Sequence, residues 1–449
     1  MSESGLLRAR VRTIAEPLDL LAIARACEPT TPLFLWEHPA RDEAILGVGV
    51  AREIRTRGPE RFATASAAAR RLLGAIDGDD DALAALRVVG GFAFSDEASE
   101  AAWPAARLVL PRLLWIRAAG RTTLAEIRDD GDAPCAALAV APGAATDDTL
   151  RLYAAPVDPA ARARWTERVE RVRARIAAGT LEKAVLARRR RLVADAPIDS
   201  AVLVARARAT RPTCFNVWVR ERGGTSLVAS TPELLARRTG DAVTASALAG
   251  SAARGRDPDA DALAGATLLA CVKNAHEHGI VVDAVRAALA RVADEVTASA
   301  SPALLTLPEV HHLATVVTGR LRTPASVFDV GGVLHPTPAV CGAPSAAARA
   351  LIEQEEPERG WYTGALGWMD RAGDGELAVA LRSALVAGRE LTLWAGAGIV
   401  AESDADAELA ETEAKMRALV TPFLAPPRAA DQALARGGGL ADAGMAGAS

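Results

Sequence analysis

Between residues 181 and 188 the chain reads LEKAVLAR, a short apolar run interrupted by one lysine. Its length and flanks predict a strand, and a period of two puts Lys183, Val185 and Ala187 on one face and Ala184, Leu186 and Arg188 on the other. Lys183 then points with apolar neighbours toward an interior. An ammonium held there without water demands a lowered pKa or a partner, unless its stem lies over the core while the amine reaches solvent. Strand-like runs recur in RVVGGFAF (87 to 94) and ARLVLPRLLWIRAAG (106 to 120). Hairpins are predicted in NVWVRERGGTSLVAS (216 to 230), turning at Gly223 and Gly224, and in GALGWMDRAGDGELAVALRSALV (364 to 386), turning at Ala372 to Gly375. Helical spacing marks 63 to 76, the segment from about 158 to Gly179, 273 to 289 and 402 to 420. Adjacent hairpins among helices predict an α+β fold of mostly antiparallel sheets rather than a doubly wound α/β fold.

The predicted organisation is an N-terminal part of the fold over 1–157, packed on a core over 158–424. A Gly/Pro/Asp-rich loop or seam is expected around DGDAPCAALAVAPGAATDD, and an Ala/Gly-rich tail over 425–449 is expected to be disordered. There is no internal repeat.

Half of the 449 residues are apolar, enough for a large core. The balance of 52 basic and 56 acidic residues, net charge -4, argues against nucleic acid or an anionic membrane as the main partner and favours a small charged ligand. Cys27, Cys135, Cys214, Cys271 and Cys341 are odd in number and form no CxxC, as expected of reduced thiols in a cytoplasmic protein. No run approaches the length of a membrane span, and the start lacks a signal-peptide core.

Candidate chemistry is spread along the second half. Glu277 shares a helical face with Val281, Ala284, Val285 and Ala288; it either needs a cation, a side chain or a metal, or sits in a first turn favoured by the helix dipole and solvent. His276 and His278 flank it as HEH rather than HExxH, so the two-histidine zinc site is not offered. In the 402 to 420 helix, Ser403 and Asp406 are spaced like a capping box. Glu408, Glu411, Thr412 and Lys415 form one stripe, either a solvated face with a Glu411 to Lys415 pair or a source of carboxylates for a hard cation such as Mg²⁺. Gly250, Gly396 and Gly398 offer backbone N–H groups for a carboxylate, or simple turns; GxGxxG is absent. Arg382, inside the apolar LAVALRSALV run, suits bidentate carboxylate recognition. Glu233, after Pro232 in ASTPELLAR, stands at a strand end before a turn or helix, where it is either an N-terminal cap or a general acid.

Eight motifs occur in order over roughly 160 to 424: LEKAVLARR, ASTPELL, ALAGSAARG, KNAHEHGIVVDAV, HHLATVVTGRL, LHPTPAVCGAP, ERGWYTGALGWMDRAGDGELAVALRSA and LWAGAGIVAESDADAELAETEAKMRAL. Together they resemble the core of the chorismate-utilising enzymes, most closely the isochorismate synthases. The N-terminal part fits more loosely through GGFAF and LVLPRLLWIR. The resemblance implies one large α+β domain, Mg²⁺ dependence and reversible conversion of chorismate to isochorismate. It implies that Lys183 is the general base activating water for attack at ring carbon 2, and Glu233 the general acid that helps the 4-hydroxyl leave. Glu277 and Glu411 would hold Mg²⁺. Arg382, Tyr362 and the Gly396 to Gly398 backbone would take the enolpyruvyl carboxylate, with Gly250 and Lys415 lining the site.

Within this family, Lys183 argues against the anthranilate-forming members, and Ala249 stands where the aminodeoxychorismate synthases carry a nucleophilic lysine. Ala339 and Val340 in HPTPAV look like the isochorismate synthase version of that loop. The alternative is a salicylate synthase, which goes on to eliminate pyruvate. Asn274 stands where many relatives have Asp or Glu, and Ser246 receives no role. The resemblance leads us to expect a monomer without a glutamine amidotransferase partner, whose product feeds menaquinone or siderophore synthesis.

Overall fold

The structure is a computed structural model describing residues 6–97, 103–129, 150–154, 159–356 and 359–421. The expected loop around 131 to 149, the 425–449 tail and Cys135 lie outside the described residues. Two antiparallel sheets, of twelve and ten strands, form an α+β fold with ten described α-helices. Among those helices none is long and apolar enough to cross a membrane.

The first sheet runs in the order Leu7–Ile14, Arg121–Asp129, Leu113–Ala118, Glu43–Val48, Leu33–His38, Phe215–Arg220, Ser226–Thr231, Ser383–Ala387, Glu390–Ile399, Lys183–Ala194 and Gly342–Ala343, with Leu152–Ala154 pairing beside Lys183–Ala194. The second runs Ala293–Ala298, Val310–Leu321, Ala242–Ala253, Leu234–Thr239, Gly375–Val379, Ala365–Asp370, Arg87–Phe92, Ala106–Leu110 and Arg52–Thr56, with Ala303–Thr306 on Val310–Leu321. Residues before 157 therefore supply strands to both sheets. The largest core cluster fills the space between them, for example through Trp36, Phe62, Phe92, Phe328 and Leu366.

The 216 to 230 hairpin forms with its glycines at φ +92° and +88° in the turn. The 106 to 120 run is not one element. Pro111 separates Ala106–Leu110, in the second sheet, from Leu113–Ala118, in the first, since proline has no N–H to continue a ladder. The LAVALRSALV run divides in the same way. Gly375–Val379 belongs to the second sheet and Ser383–Ala387 to the first, so Arg382 does not lie inside a strand. It lies in the crossover, with φ +48°. Glu233 occupies a parallel position. Ser226–Thr231 is in the first sheet and Leu234–Thr239 in the second, so Glu233 leads into a strand and has no helix to cap. The two crossovers touch, the Val379 N–H donating to the Glu233 carbonyl at 3.0 Å.

The helices seen in the sequence form as Arg61–Gly74, Pro159–Ala177, Val272–Leu289 and Ala405–Val420, and Gly179 comes just after its helix at φ +71°. The last of them starts differently from expectation. Asp404 is the N-cap, accepting from the Ala407 N–H at 2.8 Å, while the Ser403 hydroxyl accepts from the Val400 N–H at 3.1 Å. Both residue types cap well, and Asp404 stands one position nearer the helix.

Candidate active site

Lys183 opens its strand. Its neighbours obey the predicted alternation: Ala184 and Leu186 pack beneath the helices Pro159–Ala177 and Ser345–Glu355, and Lys183 and Val185 face a cavity of about 270 Å³. The amine does not reach out to solvent. Lys183 is 1 % exposed, and its Nζ donates to Glu277 Oε1 at 2.9 Å. The carboxylate reaches it from the second turn of the Val272–Leu289 helix, whose apolar side (Val281, Val285, Leu289) is buried. Across the ladder, Val185 pairs with Gly398 and Ala187 with Gly396. A β-carbon on Gly398 would come within 2.7 Å of Lys183 Cε and 2.8 Å of Glu277 Oε1. Glycine there leaves the room that the ion pair occupies.

All twelve residues that the family resemblance assigns to the site line this cavity: Lys183, Glu233, Gly250, Glu277, Ala339, Val340, Tyr362, Arg382, Gly396, Gly398, Glu411 and Lys415. They come from both sheets, two helices and the loops between. Gly250 sits at φ +75° where the Ala242–Ala253 strand shifts register against Val310–Leu321, and that bulge bends its backbone into the cavity.

Glu233 is fully buried, and burial pushes its carboxyl up to about 8 although Lys183 and Arg382 pull the other way. A carboxyl in that state holds a proton near neutral pH and can donate it. Burial also pushes the Tyr362 hydroxyl up to about 12, leaving it a neutral donor. Arg382 donates through Nη2 to His312 Nε2 at 2.9 Å. His312 is held down to about 3, by burial first and then by Arg382 and Lys415; its ring is neutral and serves as an acceptor that aims the guanidinium.

The Glu408 to Lys415 stripe is not a solvated face. Lys415 Nζ lies 2.6 Å from Glu411 Oε1 and 3.0 Å from the Gly396 carbonyl oxygen, and the Ser251 hydroxyl donates to Glu411 at 2.8 Å. Burial and the adjacent Glu411 push Glu408 up. Burial opposes the charge on Glu411 too, but Lys415, Ser251 and Glu408 outweigh it and hold that carboxyl low. Among the described residues no three acidic, histidine or cysteine side chains are gathered as a ready-made metal cluster. The histidines are dispersed: His278 bonds Thr315, His311 bonds Asp261 and Thr306, and His312 bonds Arg382.

Sequence reasoning gave no role in the site to Ser251, Leu248 or Thr363, which line the cavity together with His312. His312 and Ser251 are cross-strand partners, a relation that depends on the bulge at Gly250. Thr363, at φ +61°, carried no sequence signal.

A family model described as chorismate binding enzyme matches residues 6–423. The chain belongs to that family. Among curated relatives it is 44% identical over 268 residues to a putative isochorismate synthase MenF of Mycobacterium tuberculosis, covering 57% of this chain and 72% of the relative. It is 33% identical over 424 residues to the salicylate biosynthesis isochorismate synthase of Pseudomonas aeruginosa, covering 90% and 87%. Among solved structures, the menaquinone-specific isochorismate synthase MenF of Escherichia coli superposes with TM-score 0.79 at 27% identity, over 94% of this chain and 95% of that one. Anthranilate synthase component I of Streptococcus pneumoniae, at 20% identity and TM-score 0.68 over 85% of this chain and 93% of that one, shares the fold.

Proposed function

We propose that this member of the chorismate-binding family is a Mg²⁺-dependent isochorismate synthase. The observation that carries the reading is Glu233, a buried carboxyl raised to about 8 in the same cavity as a buried lysine. In the reaction, Lys183 takes a proton from water as its oxygen bonds to ring carbon 2, the ring double bonds shift, and the carbon 4 to oxygen bond breaks. Glu233 gives its proton to that departing hydroxyl, which leaves as water. One water enters and one leaves, so product and substrate are isomers. Arg382, aimed by His312, and the neutral Tyr362 hydroxyl bind the enolpyruvyl carboxylate with the Gly396 to Gly398 backbone. Gly250, Ala339, Val340 and Lys415 shape the remaining walls.

The fit to a hard cation rests on donor chemistry. Glu277, Glu408 and Glu411 line one cavity, and Glu408 is pushed up partly by the neighbouring charge of Glu411, a crowding that a divalent cation relieves. Glu277 and Glu411, with Glu408 beside them, would hold Mg²⁺, which would supply positive charge against the ring carboxylate. Because water is the nucleophile, no amidotransferase partner is required, and a monomer suffices.

Purified chain given chorismate and Mg²⁺ should yield isochorismate on chromatography, and should lose turnover when the cation is chelated. Salicylate and pyruvate as main products would replace the assignment with a salicylate synthase, and an unchanged substrate peak would remove both.

A further inference from the structure

The side chain of Arg359 is 2 % exposed, and each of the five N–H donors of its guanidinium has an acceptor. Nε donates to Glu356 Oε2 at 2.7 Å. Nη2 donates to Glu356 Oε1 at 3.0 Å and to the Val185 carbonyl at 2.7 Å. Nη1 donates to the Val340 carbonyl at 2.8 Å and to the Thr363 hydroxyl at 3.4 Å. The ring of Phe94 covers the guanidinium, with its centroid 4.5 Å from Cζ.

Pairing with Glu356 uses two of these donors. The other three reach three separate segments: the strand that begins with Lys183, the HPTPAV loop, and the turn that holds Tyr362. Val185, Val340 and Thr363 all line the catalytic cavity. At the first of them Arg359 takes over from a ladder. The strand Gly342–Ala343 pairs only with Lys183 and Ala184, and the pairing ends where the Val185 N–H donates to the Cys341 carbonyl at 2.8 Å. The next acceptor on that edge, the Val185 carbonyl, belongs to Arg359.

Thr363 gives an independent sign. Its φ of +61° lies in the left-handed region that a β-branched residue rarely adopts, and such a backbone persists only where its surroundings hold it. The Thr363 N–H donates to the Ala380 carbonyl at 3.0 Å, and its own carbonyl accepts from His335 Nε2 at 3.1 Å. Its hydroxyl donates to the Tyr362 carbonyl at 2.6 Å while accepting from Arg359.

We propose that Arg359 is a positioning residue: its fork sets the Lys183 strand, the Val340 wall and the Tyr362 turn at one spacing, so that the substrate meets a preformed pocket. An ammonium has three donors on a flexible stem, and can neutralise Glu356 without holding the three segments. The role rests on the proposed function only in taking chorismate as the ligand.

Arg359→Lys keeps the charge and loses the fork. Its KM for chorismate should rise about tenfold or more, with a smaller change in kcat, because Val340 and Tyr362 bind the substrate and take no part in making or breaking bonds. Calorimetric titration of chorismate into Lys183→Ala should likewise show binding weakened by about tenfold when Arg359→Lys is added. Arg107→Met, which breaks a buried ion pair outside the cavity, is the control for lost stability alone; an unfolded fraction lowers the apparent kcat and leaves KM where it was. Unchanged KM and affinity in Arg359→Lys, a rise in KM matched by Arg107→Met, or an Arg359→Lys chain that does not fold would each overturn the proposal and leave Arg359 as a part of the core. A wild type that binds chorismate without converting it defeats the proposed reaction, and the calorimetric comparison then decides the role of Arg359.

Discussion

Glu233 is placed where one burial has two consequences. A carboxyl raised to about 8 must be ionised as pH passes that value, so kcat/KM for chorismate should fall as pH rises through about 8, because the acid form is the one that donates. Glu233→Gln should lower kcat by roughly 10²- to 10⁴-fold, the usual span for a general acid. The same group affects stability. Its carboxyl is raised from an ordinary 4.5, so its contribution to folding is complete below 4.5 and is lost as pH rises toward 8. Glu233→Gln should therefore be more stable than the wild type near pH 8, with the difference shrinking toward pH 4.5, as urea unfolding at a series of pH values would show. A variant that loses activity and gains no stability at pH 8 would mean that Glu233 is ionised in the fold. Lys183→Ala should lower kcat by a similar factor and keep a wild-type circular-dichroism spectrum, with a lower unfolding midpoint because Glu277 loses its buried partner.

The elements carry the site through register, which the sequence displays only in part. Alternation in LEKAVLAR is enough to turn Lys183 inward, and the helical stripe of Glu408, Glu411 and Lys415 is enough to align those groups. Alternation does not say which sheet a strand joins. The runs broken at Pro111 and at Arg382 read as continuous because their hydrophobic period persists across the break, while the partner strands that decide the matter lie far away in sequence. The bulge at Gly250 is invisible for the same reason, and with it the pairing of Ser251 and His312. Known register sharpens the expectation at one glycine. Gly398 pairs with Val185, and a β-carbon there would crowd Lys183 and Glu277. Gly398→Ala should fold normally, since its backbone is not left-handed, and should reduce kcat by about 10²-fold, the usual effect of displacing a reacting group by about 1 Å. Near-wild-type turnover would show that Lys183 and Glu277 need not keep this geometry.

At the scale of the whole molecule, the site exists because the crossovers at Glu233 and Arg382 carry the chain between the two sheets side by side, and the sheets must be held in fixed relation for Glu233 and Arg382 to face Lys183. Ion pairs contribute to that hold. Arg107, on a strand of the second sheet, pairs with Glu221 at the end of a strand of the first, at 2.5 Å, and with Glu53 at 3.1 Å; the Arg107 and Glu221 side chains are 4% and 6% exposed. Glu376 of the second sheet likewise binds Arg41, which comes after a first-sheet strand, at 2.8 Å. Breaking a buried pair from one side leaves an uncompensated charge and costs about 3–5 kcal/mol. Burial already pushes Glu221 up against the pull of Arg107, so removing Arg107 takes away the largest opposing influence on that carboxyl. Arg107→Met should lower the unfolding free energy by about 3 kcal/mol or more, measured by urea denaturation at pH 7, while chorismate turnover per folded molecule at low temperature stays near that of the wild type. The double variant Arg107→Met with Glu221→Gln should recover part of the loss, because the stranded charge is gone. If the double variant is as unstable as the single one, the two sheets are held by their apolar interface and the ion pairs add nothing to their alignment.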